Sequence, residues 1–231
     1  MIHQLIFAAP KPGMTEREFQ DYWRTVHAVR FASRIPQIRK YAVDDRVPRP
    51  TDSGEPTWSG VGEIWLRDDE EQIASLQTPE FIEGARADEP NWAAFWRTLV
   101  LDTDAHTVLQ GPEPDPNRQE TKLFILVKRR EGMRLEEFRE RALGAHASLA
   151  TRVPGLRRYV QGHTRDAAYG IGEAPLDAAF QLWFDSPDAE QEAERSTAFE
   201  VLVEDLLTFV EPRYLHTMVA EQHWIIGPQP R

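Results

Sequence analysis

Two histidines stand where helical patterning calls for apolar side chains. In "GMTEREFQDYWRTVHA", residues 13–28, Phe19, Trp23 and His27 recur every four positions, and Phe31 continues the stripe. On a helix that spacing gives one drifting face, with His27 on its shoulder and directed toward whatever the face packs on. His146, in "GMRLEEFRERALGAHA" (132–147), repeats the setting with Phe138, Ala142 and Leu149. An imidazole that is partly buried is neutral near physiological pH and suits a general acid or base. The structural alternative is a core histidine bonded to a carbonyl or carboxylate, and the residues alone leave both open. Glu63, mid-strand, is a candidate to orient His27, with Gln181 at its aligned place. His163, aligned with Asp45, is a candidate for a pocket mouth. His106 and His223 occupy matching places near the ends of the two halves, and His216 has no counterpart.

Other chemistries find little support. The chain has no cysteine, which removes disulfides, thiolate nucleophiles and zinc–thiolate sites. Seven histidines occur without H-x-x-x-H or H-E-x-x-H spacing, so no metal site is expected. "YGIGEAP" (169–175) opens no helix, against a dinucleotide loop, and no G-x-S-x-G elbow is present. A net charge of −11 argues against a nucleic-acid or anionic-membrane surface. The longest aliphatic–aromatic run, Leu123 to Val127, is far short of a membrane span, and the N-terminal stretch lacks a signal-peptide pattern. These readings lead to the expectation of a cytoplasmic protein. With 41% hydrophobic residues and seven Trp, the chain can build a substantial core.

The elements that must position these histidines come in duplicate. Besides the two helix segments, "RIPQIRKY" (34–41) matches "RVPGLRRY" (152–159), Trp65 meets Trp183, Phe81 meets Phe199, and "HTVLQGP" (106–112) resembles "HWIIGP" (223–228). A long internal repeat means two copies of one unit. The proline-rich run 111–120 separates them, which predicts domains at 1–112 and 121–231 with a linker at 113–120. Each copy reads as a strand (Ile2 to Ala8; Lys122 to Lys128), then a helix, which in the first copy is capped by a Thr15/Glu18 capping box. Prolines 36 and 154 mark the helix ends. Strands follow around Arg39–Val43 and Arg158–Gln161, then at Trp58–Leu66 and Ala178–Phe184. "TPE" (78–80) and "SPD" (186–188) start second helical regions. Further helices are expected at Trp92–Val100 and Val201–Phe209, and last strands at Thr103–Leu109 and Met218–Ile226. The order β-α-β-β-α-β is the ferredoxin-like unit, an α+β arrangement whose helices cover one face of the sheet and leave the other apolar.

These same stretches, "KPGMTEREFQDYWRTVHA" with "RIPQIRKY" and "KRREGMRLEEFRERALGAHA" with "RVPGLRRYVQGH", resemble EthD-domain proteins, a branch of the dimeric α+β barrel superfamily. The resemblance runs through both halves. It implies two ferredoxin-like repeats forming an intramolecular dimeric α+β barrel, either as a monomeric pseudo-dimer or as a further homodimer. Family members include decarboxylases and dehydratases of aromatic polyketides that work without a cofactor. The resemblance therefore implies a cofactor-independent lyase or isomerase acting on a hydrophobic, aromatic small molecule. His27, His146, Glu63 and His163 would act as acid–base groups; Tyr22, Trp23, Trp65 and Trp183 would shape the pocket. A non-catalytic metabolite-binding protein and a haem protein are the alternatives. The halves differ where Tyr22-Trp23-Arg24 aligns with Arg141-Ala142-Leu143, so their sites are not expected to be equivalent. The space left by Trp→Ala is either refilled or becomes a pocket.

Overall fold

The computed structural model describes residues 1–50, 52–112, 115, 120–170 and 172–231. Of the expected linker 113–120, only Asp115 and Glu120 lie within the described residues. The chain forms two compact units. The first comprises residues 1–102 and 220–231, and the second residues 103–112 and 120–219.

Unit 1 is a four-stranded antiparallel sheet in the order β1-β3-β2-β8, with β1 at Ile2–Ala8, β3 at Gly60–Leu66, β2 at Lys40–Arg46 and the C-terminal part of β8 (His216–Ile226). Unit 2 repeats it as β5-β7-β6-β4, with β5 at Thr121–Val127, β7 at Ala178–Phe184, β6 at Arg158–Thr164 and the C-terminal part of β4 (Leu99–Leu109). The last strand of each unit thus comes from the other half of the sequence. Both units have the ferredoxin-like α+β fold expected of the dimeric α+β barrel class.

In unit 1 the first helix, Glu16–Tyr22, begins as its sequence predicts. The Thr15 hydroxyl accepts from the Glu18 amide and the Glu18 carboxylate accepts from the Thr15 amide. After Tyr22 the helix widens into a π-helical turn, Trp23–His27, closed by a bond from the Ala28 amide to the Trp23 carbonyl. Unit 2 does the same at Ala142–His146, after the helix Leu135–Arg141. An i→i+5 turn holds one residue more than an α turn, and such turns are frequent at functional sites. Residues four apart, which drift off one face of an α-helix, are brought back toward it. His27 therefore joins Phe19 and Trp23 on the buried face instead of riding its shoulder; it is 7% exposed.

The expected helix at Trp92–Val100 is not one. Only a 3₁₀ turn, Phe95–Arg97, forms there, and β4 already starts at Leu99. The end of β1 explains the difference. The Lys11 amide donates to the Trp92 carbonyl, the Ala94 amide donates to the Ala9 carbonyl, and Pro10 bridges Ala93. Backbone groups held by a neighbouring strand cannot also close helical turns. In unit 2 the helix Thr197–Phe209 runs up to the equivalent bridge, Arg129 with Val210.

Side chains alternate across the sheet. Gly62, Ile64 and Leu66 of β3 face the helices, so Glu63 and Trp65 face the other way. That second face is apolar in part, with Leu5, Phe7 and Val61 buried on it, but it also carries a buried polar cluster that the expectation of an apolar face did not include. The buried His3 and Glu63 are paired at 2.8 Å, and the Gln222 amide donates to the second Glu63 oxygen at 2.8 Å. His3 also stacks on Trp65 at 4.4 Å.

Candidate active site

Between the sheet and the helical segments of unit 1 lies a cavity of about 380 Å³, a size suited to a small organic ligand. Its walls are mostly apolar: Ile6, Trp23, Ile35, Ile64, Phe81 and Trp92 among others. His27 reaches it from the end of the π turn. The other partner in the site is Asp88, which follows a second π-helical stretch, Glu80–Ala85. His27 Nδ1 lies 2.9 Å from Asp88 Oδ2. Asp88 Oδ1 accepts from the Tyr22 hydroxyl at 2.8 Å and from the Asn91 amide at 3.0 Å.

These contacts assign the imidazole tautomer. The Trp92 indole N–H also approaches Nδ1, at 3.2 Å. One nitrogen cannot serve both neighbours. Were Nδ1 unprotonated to accept from Trp92, its lone pair would face that of the carboxylate. The proton therefore sits on Nδ1 and is donated to Asp88, while the indole packs against the ring, with centroids 4.6 Å apart. Nε2 then carries the lone pair, and no described residue bonds to it.

Electrostatics agree with this division. Burial holds the His27 pKa below its ordinary value, outweighing the opposite pull of Asp88, so the ring is neutral at pH 7. Burial works to raise the Asp88 pKa, but hydrogen bonds from Asn91, His27 and Tyr22 overcome it and keep the carboxyl ionised. The arrangement can orient an imidazole that lines the cavity, leave its second nitrogen basic and stabilise the imidazolium that forms.

Trp23 forms the floor. Its ring packs on Phe19 and Trp92 (centroids 5.4 and 4.7 Å away), and its indole N–H donates to the Tyr41 hydroxyl at 3.0 Å. The sheet makes room with Gly62: a Cβ there would lie 2.9 Å from the Trp23 ring.

Unit 2 carries the same dyad in a different housing. His146 Nδ1 meets Asp205 Oδ2 at 3.0 Å, and Phe209 replaces Trp92 beside the ring. Arg141, aligned with Tyr22, ion-pairs with the other Asp205 oxygen. Burial again lowers the histidine pKa, opposed by Asp205 and assisted by Arg141. The space vacated by Trp23→Ala142 is refilled. Phe180 stands at the place of Gly62, its ring 5.5 Å from His146, and the Gln161 amide donates to the Ala142 carbonyl at 2.8 Å. Trp with Gly in one unit has become Ala with Phe in the other. His146 is 1% exposed.

Of the residues singled out from sequence, His27, Tyr22 and Trp23 meet at one site. His146 forms its own. Glu63 does not reach His27; it serves His3 and Gln222 on the opposite face, where Trp65 also lies. Trp183 lies beneath the cations of Lys122 and Arg158. His163, the candidate for a pocket mouth, lies inside β6 and does not line the cavity: its Nε2 pairs with Gln161 Oε1 at 2.9 Å, and burial, with His106 and Arg139 nearby, drops its pKa to about 3. His223 contacts Arg24 at 3.1 Å. Asp88 and Asp205 were not found from sequence. Their signal was an aspartate four residues before an aromatic in both halves, Asp88/Trp92 and Asp205/Phe209, one position out of the register of Phe81/Phe199 and in the register of His106/His223. Among the described residues no group of three His, Cys, Asp or Glu is placed to hold a metal ion.

The sequence profile of the EthD domain matches residues 11–95 and again 130–213. The chain belongs to the EthD family. No curated protein shows significant sequence similarity to it. Among solved structures, an anthrone oxidase-like protein is 16% identical, with 96% of this chain and 92% of that one covered, at a TM-score of 0.64. A protein from Lactobacillus acidophilus provisionally named a monooxygenase is 13% identical, with 98% of both chains covered, at a TM-score of 0.54. An EthD family protein from Bacillus halodurans is 25% identical over 43% of this chain and 95% of its own, at a TM-score of 0.37. The two full-length likenesses establish the fold. Among the described residues no helix is long and apolar enough to cross a membrane.

Proposed function

We propose that unit 1 is a cofactor-independent acid–base site for a hydrophobic small molecule, with His27 as general base. The observation that carries this reading is the orientation of one ring. Nδ1–H is committed to Asp88, and the unprotonated Nε2 belongs to a residue lining an apolar cavity. In the reaction a C–H bond of the substrate breaks and its proton moves to Nε2. The electron pair is left on a carbon conjugated with a carbonyl, and return of the proton completes an isomerisation, or loss of a leaving group an elimination. Asp88 stabilises the transient imidazolium, while Tyr22 and Asn91 hold Asp88. The His146 dyad, with its neighbouring space occupied by Phe180, is a structural copy.

The test needs no knowledge of the natural substrate. In D2O, the protein should accelerate deuterium incorporation at the activated carbon of 2-tetralone, followed by NMR. His27→Ala should remove the acceleration and His146→Ala should retain it. Undiminished exchange in the His27 variant refutes the reading.

A further inference from the structure

The cavity wall has a polar station that the proposed proton transfer does not use. β1 presents Ile2, Gln4, Ile6 and Ala8 to the helices, so Gln4 interrupts an apolar row. Thr98, just before β4, and Val100 and Asp102 within it line the same cavity. The Gln4 side-chain amide donates to Asp102 Oδ1 at 2.8 Å. A carboxylate only accepts, which fixes the amide orientation: its N–H2 must face Asp102, leaving Gln4 Oε1 as an acceptor. With Asp102 Oδ2, the pair offers two acceptor oxygens beside apolar walls.

The repeat shows that the fold does not require this pair. At the aligned positions unit 2 has Leu123 and Val219, both buried and both apolar. The two polar residues occur together in one unit and are absent together from the other, like partners in one task. That unit is also the one in which the Trp23/Gly62 exchange has kept Phe180's counterpart out of the space beside the histidine.

We propose that Gln4 and Asp102 form a specificity-determining pair, and that the ligand class is hydrophobic molecules bearing a hydroxyl group, which donates to this pair while the apolar body fills the cavity. The inference rests on the reading of this cavity as a ligand site, and it concerns recognition, not proton transfer.

The probes are 2-naphthol and its methyl ether, 2-methoxynaphthalene, which share shape but differ in the donor. Binding to the full chain is measured by calorimetry. A hydrogen bond to a charged acceptor predicts that the ether binds about ten-fold or more weakly. In the Gln4→Leu/Asp102→Val double variant, which copies unit 2, the two probes should bind within about two-fold of each other. Equal binding to the wild type overturns the proposal, as does failure of 2-naphthol to bind. Discrimination that survives in the double variant overturns it too, because another group would then read the hydroxyl. Loss of 2-tetralone exchange dependence on His27 with discrimination intact would defeat only the catalytic reading. Absent discrimination with His27-dependent exchange would defeat only this one.

Discussion

The exchange of Trp23 and Gly62 for Ala142 and Phe180 predicts a specific energetic coupling. Gly62→Ala places a Cβ 2.9 Å from the Trp23 ring, closer than carbon atoms can approach. The ring cannot retreat, because Phe19 and Trp92 pack on it and its indole N–H is held by Tyr41. Overpacking of that kind costs about 1–3 kcal/mol. Trp23→Ala alone removes a ring from the core and costs about 3–5 kcal/mol. In the double variant the close ring is gone, and the Cβ keeps only an ordinary contact with Tyr41 at 3.7 Å. The overpacking cost vanishes, and alanine gains roughly 0.5–1 kcal/mol over glycine from lower unfolded-chain entropy. The double variant should therefore be no less stable than Trp23→Ala alone, and because the entropy gain is common to both backgrounds and cancels, the coupling energy is the overpacking cost itself, about 1–3 kcal/mol. Urea denaturation of the four proteins, with m-values checked for constancy, measures it. If Gly62→Ala costs the same in both backgrounds, the two positions are independent. The account of how the halves diverged is then wrong.

Asp88→Asn puts an amide against His27, so that its N–H2 can face Nδ1 and drive the imidazole proton to Nε2. Deuterium exchange into 2-tetralone should fall by about 10²–10⁴-fold while the cavity still binds 2-naphthol. Stability should also decline in mild acid. His27, His146 and His163 all have folded pKa values lowered by burial, His163 to about 3. Below the ordinary value of 6.5 the unfolded chain binds protons that the folded chain refuses, so stability falls as pH drops from about 6.5 toward 3. Asp45, pushed up to about 6 by burial, opposes that slope between roughly 4 and 6. Urea titrations of His163→Gln against wild type should show a shallower decline; an unchanged slope would remove His163 from the explanation.

Much of this architecture is legible in the sequence because its signals are local or repeated. The capping box at Thr15, strands β1, β5 and β7 and the two histidine helices follow from periodicity, and duplication supplies a second reading of each. The site is only half legible. The nearest buried carboxylate in a naive reading is Glu63, since it falls mid-strand, yet strand alternation sends it to the opposite face from Gly62 and Ile64. Asp88 was hidden because two π-helical turns, at Trp23–His27 and Glu80–Ala85, shift the register of both its own segment and that of His27. No propensity scale marks such turns. The misplaced helix at Trp92–Val100 has a similar origin: its fate is decided by backbone bonds to Lys11 and Ala9, distant in sequence. The refilling of the Ala142 space likewise depends on Phe180, a strand residue whose helix-facing neighbour is fixed only in three dimensions.

The proposed chemistry turns on one nitrogen atom, Nε2 of His27. Long-range proton–nitrogen NMR on histidine-labelled protein at pH 7, with and without 2-naphthol, reads it directly. His27 should be neutral with Nδ1 protonated and Nε2 bare, and 2-naphthol should move the Nε2 resonance of His27 but not that of His146. A His27 protonated on Nε2, or one whose resonances ignore the ligand, would contradict the account.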